Sequence, residues 1–190
     1  MIPPSDWRTK LTLSEEVQWV ASRPGATFYY CWEQTTEPGW LIHLAIAGGA
    51  TQKSLILTAC AVARLCLHCI HSLFQEERGR LPRFAIETTE AWTRGEATAE
   101  QVEMARQDVW KLTNYGAIYD GAAFAANATT RTITDSIYNA YTFNTVYHTL
   151  RAGVASQLIC ATIRKHLPWE RPPRPKGLTI WQRLAEVGDE

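Results

Sequence analysis

Leu81-Pro82-Arg83-Phe84-Ala85-Ile86-Glu87-Thr88-Thr89-Glu90-Ala91-Trp92-Thr93-Arg94-Gly95-Glu96-Ala97-Thr98-Ala99-Glu100-Gln101 carries a helix start, a helix stop and a second helix start in one run. Pro82 suits a first helical turn, where its missing N–H is not needed, and Gly95 suits the left-handed residue just past a helix end. Thr98, followed three residues later by Gln101, has the spacing of a reciprocal cap that opens the next helix. Helix therefore follows helix with only a few residues between.

The same punctuation extends outward in both directions. Toward the N-terminus, Thr12 with Glu15, or Ser14 itself, can cap a short helix carrying Val17, Trp19 and Val20, which Pro24-Gly25 ends. A second short helix from about Thr27 to Gln34 is expected to stop at Glu37-Pro38-Gly39, and a third, Trp40 to Ala47, to close at Gly48-Gly49. A long helix is expected from about Gln52 to Phe74, with Leu55, Ala59, Val62, Cys66, Cys69, Ile70 and Leu73 on one apolar stripe. Beyond Thr98 the period continues through Val102, Ala105 and Val109 into an alanine-rich stretch, 116–128. A last long helix, about Thr134 to His166, has a bend point at Gly153. The expectation is an all-α, single-domain helical bundle over 1–167. It has short N-terminal helices, about four long helices and a Pro-rich tail, 168–190, ending in a short helix with Ile180, Trp181, Leu184 and Val187 on one side. Those tail residues are expected to pack back on the domain.

At 190 residues, 46% hydrophobic and 20% charged, the chain can bury one substantial core. Lys plus Arg equals Asp plus Glu, 19 each, which argues against recruitment of long nucleic acid or an anionic membrane by overall charge. Five cysteines is an odd number, and three of them, Cys60, Cys66 and Cys69, sit in an apolar segment, which fits a reducing compartment. The N-terminus lacks the basic start and apolar run of a secretory signal. Arg64, His68 and His71 interrupt the longest apolar run, so a cytoplasmic protein without a membrane span is expected.

Cys66-Leu67-His68-Cys69-Ile70-His71 offers two thiols and two imidazoles, but at about 100° per helical residue the cysteine pair and the histidine pair point to opposite sides. No metal site and no cofactor are expected. The chain also lacks a phosphate loop, a His-Glu-x-x-His and a Gly-x-Ser-x-Gly, and Glu87, Glu90, Glu96, Glu100 and Glu103 read as a solvated face, so no catalytic residue is assigned. The more unusual pattern lies further on. Asp120, Phe124, Asn127 and Arg131 share one helical face, and Tyr138, Tyr141, Thr145 and His148 share another. Such a polar and aromatic stripe is either a satisfied core network or the wall of a ligand or partner pocket. Tyr115, Tyr119, Tyr138, Tyr141 and Tyr147, as stacking faces with polar tips, together with Arg131, Arg151 and the Arg171, Arg174 and Lys176 tail, would suit a ring-bearing, phosphate-bearing ligand.

Four sets of residues carry a family resemblance: Trp40-Leu41; Ala59-Cys60-Ala61-Val62-Ala63-Arg64-Leu65; Pro82, Ala85, Ile86 and Glu87 leading to Trp92, Arg94, Gly95, Glu96 and Ala97; and Cys160, Ala161, Ile163, Arg164, Lys165 and His166. In these, from about Ser14 to Leu167, the chain resembles immunity proteins of bacterial and bacteriophage polymorphic-toxin systems. The resemblance implies an α-helical, non-enzymatic protein that neutralises a toxin or effector by binding it. Two alternatives stand beside it: a phage-encoded sponge that sequesters a nucleotide-like immune signal between the last two long helices or between subunits of a homo-oligomer, and a structural or virion-associated component.

Overall fold

Thr98 and Gln101 form the expected reciprocal cap: the Gln101 N–H donates to Thr98 Oγ1 at 3.3 Å, and the Thr98 N–H donates to Gln101 Oε1 at 2.8 Å. Just before it, Gly95 sits at φ +80° and donates to the Trp92 carbonyl, while the Glu96 N–H reaches the Ala91 carbonyl. These two bonds satisfy carbonyls that a helix end leaves open, and glycine takes the left-handed backbone without a Cβ penalty. The stop and start thus make an α-hairpin, as the sequence predicts.

The computed structural model describes residues 3, 5–11, 14–23, 25–67, 76–111 and 138–169. Among them are a 3-10 turn, Trp7–Lys10, and eight α-helices: α1 (Ser14–Ala21), α2 (Phe28–Gln34), α3 (Pro38–Ala47), α4 (Gln52–Arg64), α5 (Glu76–Arg94), α6 (Ala99–Trp110), α7 (Tyr138–Arg151) and α8 (Ser156–His166). No strand occurs among the described residues, so the all-α expectation holds. Helix α4 is the hub, packed on α5, α7 and α8; α3 packs on α7, α8, α2 and the 3-10 turn, and α6 forms the outer layer on α5. Its central position explains why α4 buries Leu55, Ile56, Thr58, Ala59, Cys60, Val62 and Ala63, a wider arc than the expected stripe. The described cysteines, Cys31, Cys60, Cys66 and Cys160, are buried free thiols.

Several boundaries differ from expectation, each for a physical reason. Pro82 does not open α5; the helix starts at Glu76 and Pro82 lies inside it, buried. An internal proline forfeits one backbone hydrogen bond, a cost of about 3 kcal/mol, which burial of its ring against the core helps offset. Pro38 and Gly39 begin α3 instead of stopping α2, with Pro38 in the first turn, where no N–H is required. Helix α4 ends at Arg64, and the Leu65 and Cys66 amides turn to carbonyls three residues back. No glycine or proline marks that stop. The expected bend at Gly153 is a full break between α7 and α8: Gly153 takes φ +86°, and its N–H and that of Val154 close on Leu150 and Thr149.

Tryptophan 169, in the expected tail, packs on the domain. It stands edge-on to Phe28 at 4.9 Å and to Trp32 at 6.1 Å. A Cβ on Gly48 would lie 2.6 Å from Trp169 Cη2 and 2.9 Å from Phe28 Cζ, so glycine makes room for the indole. The tail residues from 170 onward, including the terminal helix expected around Trp181, lie outside the described residues.

Candidate functional site

The predicted stripe falls largely outside what can be described. Asp120, Phe124, Asn127 and Arg131 lie outside the described residues, as do His68, Cys69 and His71. Tyr138 and Tyr141 are placed by backbone alone, on α7. Thr145 is fully buried and His148 half-buried, so these two do not share one environment. The face that α7 turns inward is made of Thr142, Thr145, Val146 and Thr149, with Thr149 Oγ1 3.9 Å from Cys66 Sγ. Helical threonines pack inward because the hydroxyl can return to a carbonyl one turn back, as Thr58 does to Ser54 and Thr89 to Ala85. At the outer end of α7, the Tyr147 ring is exposed, with Arg151 over it at 5.8 Å and His148 edge-on at 5.3 Å.

Arg64, Arg94, Cys160 and Arg164 act as fastenings of the scaffold. Arg64 Nε and Nη2 donate to the two carboxylate oxygens of Glu90 at 3.0 and 2.7 Å, tying α4 to α5, and that hydrogen bonding raises the Arg64 pKa. Arg94 pairs with Glu96 around the Gly95 stop. Arg164 on α8 donates to the carbonyls of Trp32, Glu33 and Thr35 at the end of α2, at 2.5 to 3.0 Å. These carbonyls are the open ones at a helix C-terminus, where a guanidinium is also favoured by the helix dipole. Cys160, on the same helix, donates to the Thr36 carbonyl at 3.3 Å, and burial pushes its thiol up to about 11.

The hairpin α5–α6 presents a different surface. Val102, Ala105 and Val109 of α6 and Ala85, Ile86 and Thr89 of α5 are buried. Phe84 (55% exposed) and Met104 (66%) lie on the opposite sides of their helices, and Trp110 (49%) ends α6. Among the described residues α1, α4, α7 and α8 each expose one large apolar side chain, Val17, Leu57, Tyr147 and Leu158, whereas this hairpin exposes three, the kind of surface that marks a contact site.

One further cluster escaped the sequence reading. Glu16 on α1 is 3% exposed, and its Oε2 lies 3.8 Å from Nδ1 of His43 on α3. The His43 ring in turn lies against Phe143 of α7, centroids 3.9 Å apart and the planes tilted by 38°. Burial lowers the His43 pKa to about 4, so its ring is neutral near pH 7 although its geometry would allow an ion pair. The 3.8 Å separation exceeds hydrogen-bond reach, and desolvation then outweighs the attraction. Glu16, Trp19, Val20, Thr35, Trp40 and Leu44 line a small recess, with the Trp19 and Trp40 rings 5.6 Å apart. The signal was present in sequence: Glu16, Trp19 and Val20 follow i, i+3, i+4 spacing, which puts a carboxylate on an apolar face.

Among the described residues no group of three or more His, Cys, Asp or Glu is placed to hold a metal, and no helix is long and apolar enough to cross a membrane. Comparison of the chain with protein-family models, curated proteins and solved structures finds no match.

Proposed function

We propose that this chain is a non-catalytic binding protein that neutralises a protein effector by occupying it, with the outer face of α5–α6 as its contact surface. The observation that carries the reading is the exposure of Phe84, Met104 and Trp110 on that one hairpin. Aromatic and methionine side chains dominate the energetics of protein contacts, and a few of them supply most of the affinity. The commitment of Arg64 and Arg164 to holding helices together supports the same view: these resemblance residues build a rigid platform, and recognition is left to its surface.

The test is co-expression with the product of the neighbouring gene, followed by size-exclusion chromatography and a growth-rescue assay. A co-eluting complex and rescued growth are expected. The Phe84→Ser, Met104→Ser double variant should retain its far-UV helical signal and lose at least about tenfold in affinity. A wild-type chain that neither binds nor rescues, or a double variant that binds as well as wild type, overturns the reading.

A further inference from the structure

The α5–α6 hairpin settles most of its charges within the chain. Arg94 pairs with Glu96, Arg106 with Glu103 and Lys111 with Asp108, while Glu90 is taken by Arg64 of α4. Arg83 and Glu87 of α5 are different: both are exposed, and neither has a hydrogen bond or ion pair among the described residues. They stand one turn apart, but arginine four residues before glutamate is the poorer order for pairing along one helix. The exposed Phe84 ring comes between them in the chain. Arg80, Phe84 and Glu87 follow i, i+4, i+7 spacing, so the outer stripe of α5 runs basic, aromatic, acidic, with Arg83 on its basic side.

A stripe of that order is complementary to itself when reversed. An antiparallel copy of α5, related by a two-fold axis near Phe84, sets Arg83 of each copy beside Glu87 of the other and brings the two Phe84 rings together. A parallel copy would set like charges face to face. A two-fold contact uses one patch on both sides, so this single stripe supplies both halves of the interface. Met104 and Trp110 add exposed apolar surface from α6 alongside it. With 19 basic and 19 acidic residues, the chain carries no net charge to drive two copies apart.

We propose that the chain self-associates as an antiparallel dimer through α5, two Arg83–Glu87 pairs flanking a Phe84 centre. The inference rests on the reading of this hairpin face as the contact surface, and it adds the regulation of that face. In the dimer Phe84 is covered, so an effector must displace the second copy, and the chain's own concentration sets how much of the face is open. One exposed ion pair contributes little. By symmetry, however, reversing one charge turns two attractions into two repulsions.

Sedimentation velocity of the full chain across about 1 to 100 μM tests this, and a reversible monomer–dimer equilibrium is expected. Arg83→Glu and Glu87→Arg should each weaken association at least about tenfold, and the double variant with both reversals should return to within about threefold of wild type. Mixed in equal amounts, the two single variants should pair with each other, which keeps the test independent of either one alone; far-UV dichroism confirms the helical fold of each. A wild type that stays monomeric throughout overturns the proposal. So does a dimer that either reversal leaves intact, or one that the double reversal fails to restore. Co-expression with the product of the neighbouring gene is read separately. A monomeric wild type that still captures that product overturns the dimer alone, whereas a charge-reversible dimer that captures nothing upholds the dimer and overturns the neutralising role.

Discussion

Two charged groups, the half-buried Arg164 and the buried Glu16, meet neighbouring helices with different geometry. Arg164 reaches three carbonyls of α2 at hydrogen-bond distance, so its desolvation is repaid by four directional contacts. Glu16 meets His43 at 3.8 Å, and burial, with no hydrogen bond between them, sets the imidazole's charge. The first arrangement locks α8 to α2; the second sets a carboxyl beside a neutral imidazole with no directional bond between the two.

Breaking the locked side should give the largest effect. Arg164→Ala strands the carbonyls of Trp32, Glu33 and Thr35 and is expected to lower stability by about 3 kcal/mol in urea denaturation. Arg164→Lys, with a single ammonium in place of a fork, should recover less than half of that. If the alanine variant costs under about 0.5 kcal/mol, the contrast between the two regions fails. Gly48→Ala comes next, because its Cβ would collide with Trp169 and Phe28; a loss of about 2 kcal/mol and a changed near-ultraviolet dichroism from the indoles are expected. An unchanged aromatic spectrum would show that the Trp169 contact is dispensable. The smallest effect belongs to α1. Val20 is buried on the eight-residue α1, and Val20→Ala should lower global stability by about 1 kcal/mol in urea denaturation. A loss above about 2 kcal/mol would rank α1 with the strongest fastenings and blur the comparison.

Seen against these contrasts, the legible part of the sequence was punctuation. The Thr98–Gln101 cap, the Gly95 and Gly49 stops and the buried positions Val102, Ala105 and Val109 were all readable, because each depends on residues no more than about five apart. Pro82 misled because a proline at the start of a helix and one tolerated inside it look the same until a neighbouring helix covers the ring. The stop of α4 at Arg64 carried no breaker, and the apolar period ran past it. Of the polar and aromatic stripe, Thr145 is now part of the core and His148 is half outside it; Asp120, Phe124, Asn127 and Arg131 lie beyond the described residues. The Glu16–His43 contact spans two helices, so no local spacing joined the two residues, although Glu16 already sat on an apolar face.

By itself the sequence determined the helical class, the Thr98 cap, the Gly49 and Gly95 stops, and which residues of α6 turn inward, since all of these are settled by interactions within a turn or two of helix. Tertiary structure alone decided that α4 is surrounded, that Arg64 and Arg164 are ties between helices, and that a carboxylate in α1 meets an imidazole in α3. Those pairings join residues from 26 to 132 positions apart, or lie across separate helices, and only chain folding brings such groups within the few ångströms over which charge and hydrogen bonding act.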